Sequence, residues 1–297
     1  MPVKRDDEGR RYVEAEVEVP GTPEEVWRAI ATAQGISSWF MPTKREEDAE
    51  GRPTKMITSF GPGMDQAAPI TKWDPPRSYI AETEEGPEEQ GGPGRVATEW
   101  IVEARDGGTC IVRVVHRWFA DSDDWDGEFE GHAYGWAASF FRILRLYLTH
   151  FAGQECSDLQ LTAFSGAPGA ETWRTITGAL GIDEKAGRFA STPGAPGLSG
   201  AVESLEVTDP ELLGVRERAP QIVAALDAMG GENPELLLRL DRPGPGIAYI
   251  MAMPMGDQTM VAMRLFFYGD QAEPVAAKAE GEWSEWLGER FPQEGSA

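Results

Sequence analysis

The sequence predicts an α+β chain made of two tandem copies of one unit, and three observations predict it. The length of 297 residues suits two domains of ordinary size, and 41% hydrophobic with 26% charged residues is enough apolar material for a core in each. A stretch in the first half, residues 25–36, returns without a gap at 171–182. Trp27, Arg28, Ile30, Ala33, Gly35 and Ile36 recur there as Trp173, Arg174, Ile176, Ala179, Gly181 and Ile182, an offset of 146 residues. Finally, each half reads strand, helix, strands, helix, with an aromatic closing helix at His132 to Phe151 and again at Pro274 to Phe291. The expected domains are 1–152 and 158–297, joined by a short linker near 152–158.

The elements follow in order. Tyr12 to Val19 alternates Val13, Ala15, Val17 and Val19 with Glu14, Glu16 and Glu18, the period of a half-buried strand. Thr22 then caps a helix that has Pro23 at its first position and Glu25 to complete a capping box. Residues 35–40 read as a short second helix. Residues 54–60, 69–73 and 79–84 read as strands punctuated by Gly and Pro, and 95–104 with 109–119 flank the hairpin turn at 105–108. The closing helix sets Trp136, Phe140, Ile143, Leu144, Tyr147 and Phe151 at spacings of three and four, with an acidic run from Asp121 to Glu128 before it and Arg142, Arg145 and His150 towards its end. In the second half 201–207, 213–217, 235–240, 247–255 and 259–268 are strand candidates. Five of the ten methionines fall between Met251 and Met263 and read as core filling, so the second unit is expected to be a closed structural partner.

Charge and cysteine usage exclude several classes. Lys and Arg total 27 against 50 Asp and Glu, a net charge of −23 shared almost evenly by the halves, which repels phosphate backbones and anionic headgroups. Nucleic acid is therefore not expected as a partner, nor is membrane insertion, since no apolar run approaches the ~20 residues of a spanning helix. With no apolar leader, the chain reads as cytoplasmic. Cys110 and Cys156 stand in no C-x-x-C and read as reduced thiols. The histidines and the acidic run match no metal-ligand spacing, so neither metal nor cofactor is expected. The glycines at 61 and 63 and at 244 and 246 lack the Lys-Ser/Thr of a phosphate loop, and Gly197 to Ala201 only half matches a nucleophile elbow.

The words carried by 23–27, 35–40, 73–76, 98–100, 106–109, Gly135-Trp136 and 146–148 together resemble the activator of heat-shock-protein-90 ATPase C-terminal-like family, within the START-like helix-grip superfamily also called SRPBCC. They span the first 150 residues. The second half matches only through its repeated helix and residues 207–210. The resemblance implies two tandem helix-grip domains, each a curved antiparallel sheet wrapped around a long C-terminal helix, with an apolar cavity between them in many members. It also implies three kinds of role: binding of a hydrophobic small molecule, cyclisation of polyketides, or contact with a chaperone. The family's chaperone activators carry an additional N-terminal domain, whereas this chain uses its length on the repeated unit.

Alternation gives a candidate cavity face without the family. If Arg113 and Arg117 face water, Cys110, Val112, Val114, His116 and Trp118 face inward, and the hairpin partner offers Val96, Thr98, Trp100 and Val102. Trp39 and Phe40 at the mouth and Trp136, Phe140 and Tyr147 on the helix complete an aromatic wall with few polar groups, the composition of a small-molecule site and equally of a filled core. The candidate ligand-binding residues are thus Trp39, Phe40, Thr98, Trp100, Val114, His116, Trp118, Trp136, Phe140 and Tyr147. The leading expectation is non-enzymatic binding of a lipid- or polyketide-like molecule. The alternative is a cyclase or aromatase using His116 and Tyr147 as proton carriers, and the third is a chaperone-interacting regulator. A satisfied core histidine remains the plain structural reading of His116.

Overall fold

The strand text of the first half closes into one antiparallel sheet. In a computed structural model that describes residues 3–61, 63–85, 94–119, 126–183, 187–208 and 233–292, the chain divides into two units, Met1–Gly153 and Gln154–Ala297. The first unit contains β1 (Lys4–Arg5), β2 (Arg11–Pro20), α1 (Pro23–Ala31), α2 (Ala33–Ser37), β3 (Thr43–Glu47), β4 (Pro53–Ser59), β5 (Asp65–Asp74), β6 (Ser78–Glu85), β7 (Gly94–Arg105) and β8 (Thr109–Trp118). Its closing rod is α3 (Asp126–Gly135), a π-helical turn at Trp136–Phe140, and α4 (Phe141–His150). The sheet order is β1-β2-β8-β7-β6-β5-β4-β3, so the last strand returns to pair with the first long one while the others run as a meander. Alternation is obeyed: Val13, Ala15 and Val19 are buried on β2, whereas Glu16 and Glu18 are exposed. On the outer face Arg113 bridges Glu16 at 3.0 Å and Glu103 at 3.2 Å across three strands.

Helix α1 is fixed at both ends by side chains. At its start the Glu25 N–H donates to Thr22 Oγ1 at 3.3 Å, and the Thr22 N–H donates to Glu25 Oε2 at 2.8 Å. At its end the last four carbonyls, which have no partner within a helix, each receive a side-chain donor. Arg28 O accepts from Thr32 Oγ1 at 2.7 Å, Ala29 O from Trp39 Nε1 at 3.0 Å, Ile30 O from the Tyr79 hydroxyl at 2.9 Å, and Ala31 O from Arg45 at 3.3 Å. Thr22→Ala is expected to cost about 1 kcal/mol in denaturant unfolding. These bonds hold the Glu25 carboxyl below its ordinary range, so their contribution is complete above the usual glutamate pKa and fades as pH falls through the lowered one. A Thr22→Ala variant that loses nothing at pH 7 would contradict this account.

The second unit repeats the plan with fewer strands. It contains β9 (Cys156–Ser165), α5 (Gly169–Leu180), β10 (Arg188–Ala190), β11 (Ser199–Thr208), β12 (Asn233–Arg242), β13 (Gly246–Met255), β14 (Gln258–Tyr268) and α6 (Ala272–Arg290). The order β10-β11-β12-β13-β14-β9 again brings the last strand beside the first. Trp27 and Trp173 occupy the same place, the fifth residue of α1 and of α5. Trp27 meets Trp73 edge-on at 5.0 Å, and Trp173 packs on the core of its own unit, where Leu161, Leu236, Ile250, Val261 and Met263 meet Trp283 and Trp286 of α6. Each unit is therefore a helix-grip fold, an antiparallel sheet closed on a C-terminal helix. No helix among the described residues is long and apolar enough to cross a membrane.

The structure departs from the sequence reading at definable places. β9 begins at Cys156, inside the stretch that reads as linker, because its pairing with β14 runs to Cys156 opposite Tyr268. β1, β3, β9 and β10 have no counterpart among the expected strands, while 213–217 and Asp121 to Asp124 lie outside the described residues. The methionine stripe is not uniformly core: Met263 is buried, Met251, Met253 and Met260 stand half-buried on the sheet's other face, and Met255 is 51% exposed. The repeat also diverges at its glycines. Gly35 lies inside α2, whereas Gly181 adopts a left-handed φ of +63° that ends α5, and the next described element is the strand β10. Neither Cys110 nor Cys156 is in a disulfide. Burial pushes the Cys110 thiol up, and it donates to Gly21 O at 3.4 Å.

Candidate functional site

The first sheet and its closing rod enclose a cavity of about 390 Å³. Its floor is the inward face of five neighbouring strands, β4 to β8, and the register places the lining residues in cross-strand pairs: Met56 with Ala68, Thr58 with Gln66, Tyr79 with Trp100, Ala81 with Thr98, Thr83 with Val96, and Thr98 with His116. Ile30 and Ile36 close one side. Phe129, Gly135, Trp136 and Phe140 close the other from the rod. The π-helical turn carries both Trp136 and Phe140, so the wider turn lies where the rod faces the cavity. Rings meet around the mouth: Phe40 lies 4.8 Å from Trp136, 4.9 Å from Phe140 and 6.3 Å from Phe60, which is 39% exposed at the rim.

The polar tips of this aromatic wall face away from the cavity. Trp39 and Tyr79 donate to carbonyls of α1 and so present only ring surface. Burial raises the Tyr79 hydroxyl well above its ordinary pKa, which keeps it a neutral donor. His116 is tied on both sides. The Trp136 indole N–H donates to its Nε2 at 2.8 Å, and its Nδ1 lies 2.9 Å from Thr98 Oγ1. An indole nitrogen can only donate, so Nε2 carries no proton, and the neutral ring then holds its proton on Nδ1 and donates it to Thr98.

Seven of the ten expected residues line the cavity: Trp39, Phe40, Thr98, Trp100, His116, Trp136 and Phe140. Three do not. Trp118 is inward-facing as alternation requires, but Phe129 stacks flat on it at 4.2 Å and takes its place at the wall. Val114 is fully buried opposite Trp100 without reaching the cavity, on the side of the sheet where α4 packs against β2. Tyr147 is buried under the last turn of α4, where its hydroxyl accepts the Gly153 N–H at 3.3 Å. The structure does not bring His116 and Tyr147, the expected proton carriers, together: His116 is held by Trp136 and Thr98, and Tyr147 does not line the cavity. The sequence reading missed Met56, Thr58, Gln66, Ala68, Tyr79, Ala81 and Thr83. The period-two rule used on β8, carried onto β4, β5 and β6, finds them.

A second concavity, about 410 Å³, lies against the outer face of the same sheet and is lined by charged residues including Asp6, Glu8, Glu82 and Glu99 with Arg10 and Arg117. Its charges pair at the surface, Arg117 with Glu99 at 2.8 Å and Arg10 with Asp6 at 2.8 Å, which contributes little to stability.

Against known proteins, the family model described as polyketide cyclase / dehydrase and lipid transport matches residues 10–146. No curated protein matches the chain. Among solved structures, a protein from Mesorhizobium loti is similar at 19% identity over 48% of this chain and 98% of that one, with a TM-score of 0.41. The di-domain ARO/CYC BexL from the BE-7585A biosynthetic pathway is similar at 13% identity over 96% and 99%, with a TM-score of 0.41. The Aha1 dimer from Colwellia psychrerythraea is similar at 18% identity over 46% and 95%, with a TM-score of 0.34.

Proposed function

From the match of residues 10–146 to the family model described as polyketide cyclase / dehydrase and lipid transport, we propose that the first unit binds a hydrophobic, ring-bearing small molecule, polyketide-like in character, between its sheet and its closing rod. One observation carries this reading: a cavity of about 390 Å³ walled by Trp39, Phe40, Trp100, Trp136 and Phe140, inside the volume range of small-molecule sites. A core that existed only to fold would be filled there, because voids of this size are destabilising.

The test is a panel of polycyclic aromatics and single-chain lipids, followed by native mass spectrometry and thermal shift. A ligand at one hundred times its Kd stabilises its host by about 2.7 kcal/mol, and quenching of tryptophan fluorescence should accompany the shift because three indoles line the wall. No bound species and no shift with any apolar compound would end this proposal. The family description also favours a cyclase reading, in which His116 moves a proton. That role needs Nε2 released from the Trp136 N–H. His116→Gln that abolishes turnover of a polyketide chain while leaving its binding intact would establish it, and unchanged turnover would remove it.

A further inference from the structure

We infer that the cavity selects an uncharged aromatic ligand bearing an acceptor oxygen, set against the Thr98 hydroxyl, and rejects the corresponding carboxylate; this rests on the ligand-binding reading above and narrows it to a chemical class. The hydrogen-bond inventory of the wall leads there. The donors of Trp39, Tyr79 and Trp136 are engaged by the protein, and both nitrogens of His116 have partners. Thr98 Oγ1 accepts the Nδ1 proton of His116, which leaves its own proton without an acceptor among the described residues. Thr98 lines the cavity, so that proton is available to a ligand. It stands at the end of a chain, indole to imidazole to hydroxyl, in which each bond polarises the next and strengthens the last donor.

Among the described residues the wall also lacks any charge. None of the twenty lining residues is Asp, Glu, Lys or Arg. A carboxylate entering this cavity would shed its water without an ion partner, which costs several kcal/mol. The net charge of −23 further disfavours approach of an anion. A ketone or ester oxygen meets neither obstacle and finds the Thr98 proton available.

Three near-isosteric probes with one substitution pattern test this on the full chain at neutral pH: methyl naphthyl ketone, isopropenylnaphthalene and naphthoate, titrated by tryptophan quenching and calorimetry. The ketone is expected to bind at least ~100-fold more tightly than naphthoate, the factor set by burying an unpaired carboxylate. Thr98→Val should weaken the ketone by about 3- to 10-fold, the range of one neutral hydrogen bond, and leave isopropenylnaphthalene unchanged. Thr98→Ser should restore the ketone, and melting curves of both variants check that they fold. Naphthoate binding as well as the ketone, or a Thr98→Val loss equal for ketone and hydrocarbon, would overturn the selectivity while the binding reading stood. Failure of all three probes, with no other apolar ligand found, would take both down.

Discussion

Gly35→Ala is expected to destabilise the first unit by roughly 3 kcal/mol or more, the range reserved for changes that force backbone apart. A Cβ at Gly35 would lie 2.0 Å from Arg28 O and 2.8 Å from Ala29 Cα, both main-chain atoms of α1 that have no rotamer to yield. The close approach exists because Thr32 serves two helices: it ends α1 by donating to Arg28 O and starts α2 by accepting from Gly35 N at 3.0 Å. Prising α2 away would also strip Ala29 O of its Trp39 donor and move Ile36 and Trp39, two residues of the cavity wall. Gly135→Ala is the matched control. That glycine is helical at φ −56° and ψ −38°, and an added Cβ meets nothing within 4 Å. It should stabilise by about 0.5–1 kcal/mol through loss of chain entropy in the unfolded state. Urea unfolding followed by fluorescence separates the two, and a Gly35→Ala loss under about 1 kcal/mol would show that the α1–α2 junction yields more readily than its geometry allows.

How much of this was legible depended on which physical rule decides each feature. The alternation anchored by Arg113 and Arg117 reads correctly along β8, since Cys110, Val112, Val114, His116 and Trp118 are all buried, and the turn at 105–108 sets the register of Thr98 opposite His116. Period two depends only on backbone geometry, so it is written in the sequence. β3, by contrast, is an edge strand of Thr, Lys, Arg and two Glu with no apolar alternation to betray it. β9 does alternate Leu159, Leu161 and Ala163 with Asp158, Gln160 and Thr162, but it starts only three residues after Gly153 and so was concealed by linker-like text. Which inward residues remain open is a tertiary matter. Phe129 covers Trp118, and Trp136 reaches Nε2 of His116 from a π-helical turn that a period of 3.6 does not anticipate. Tyr147 continues the same stripe on paper, yet it lies beyond that turn and binds Gly153 instead.

Ala81→Phe is expected to lower affinity for an aromatic ligand by on the order of 100-fold, a loss of about 2.7 kcal/mol, while leaving the first unit as stable as before or more so. Ala81 sits on β6 at the middle of the floor, 7% exposed, opposite Thr98 and next to Tyr79 and Thr83 on the lining face. The sign of the stability change distinguishes an open cavity from a filled core. In a filled core an inserted ring forces neighbours from their rotamers and costs about 1–3 kcal/mol. Over a void of about 390 Å³ it gains contacts that the wall now lacks, by the same relation that makes cavities destabilising. Loss of binding with a Tm held or raised therefore identifies the ring as occupying the ligand's own space. Loss of binding with a Tm lowered by several degrees would mean that Trp39, Trp100 and Trp136 already close upon one another, and that the aromatic wall is packing rather than a receptor. Ala81→Leu, with less added volume, should fall between the wild type and Ala81→Phe in affinity and follow the same sign in stability.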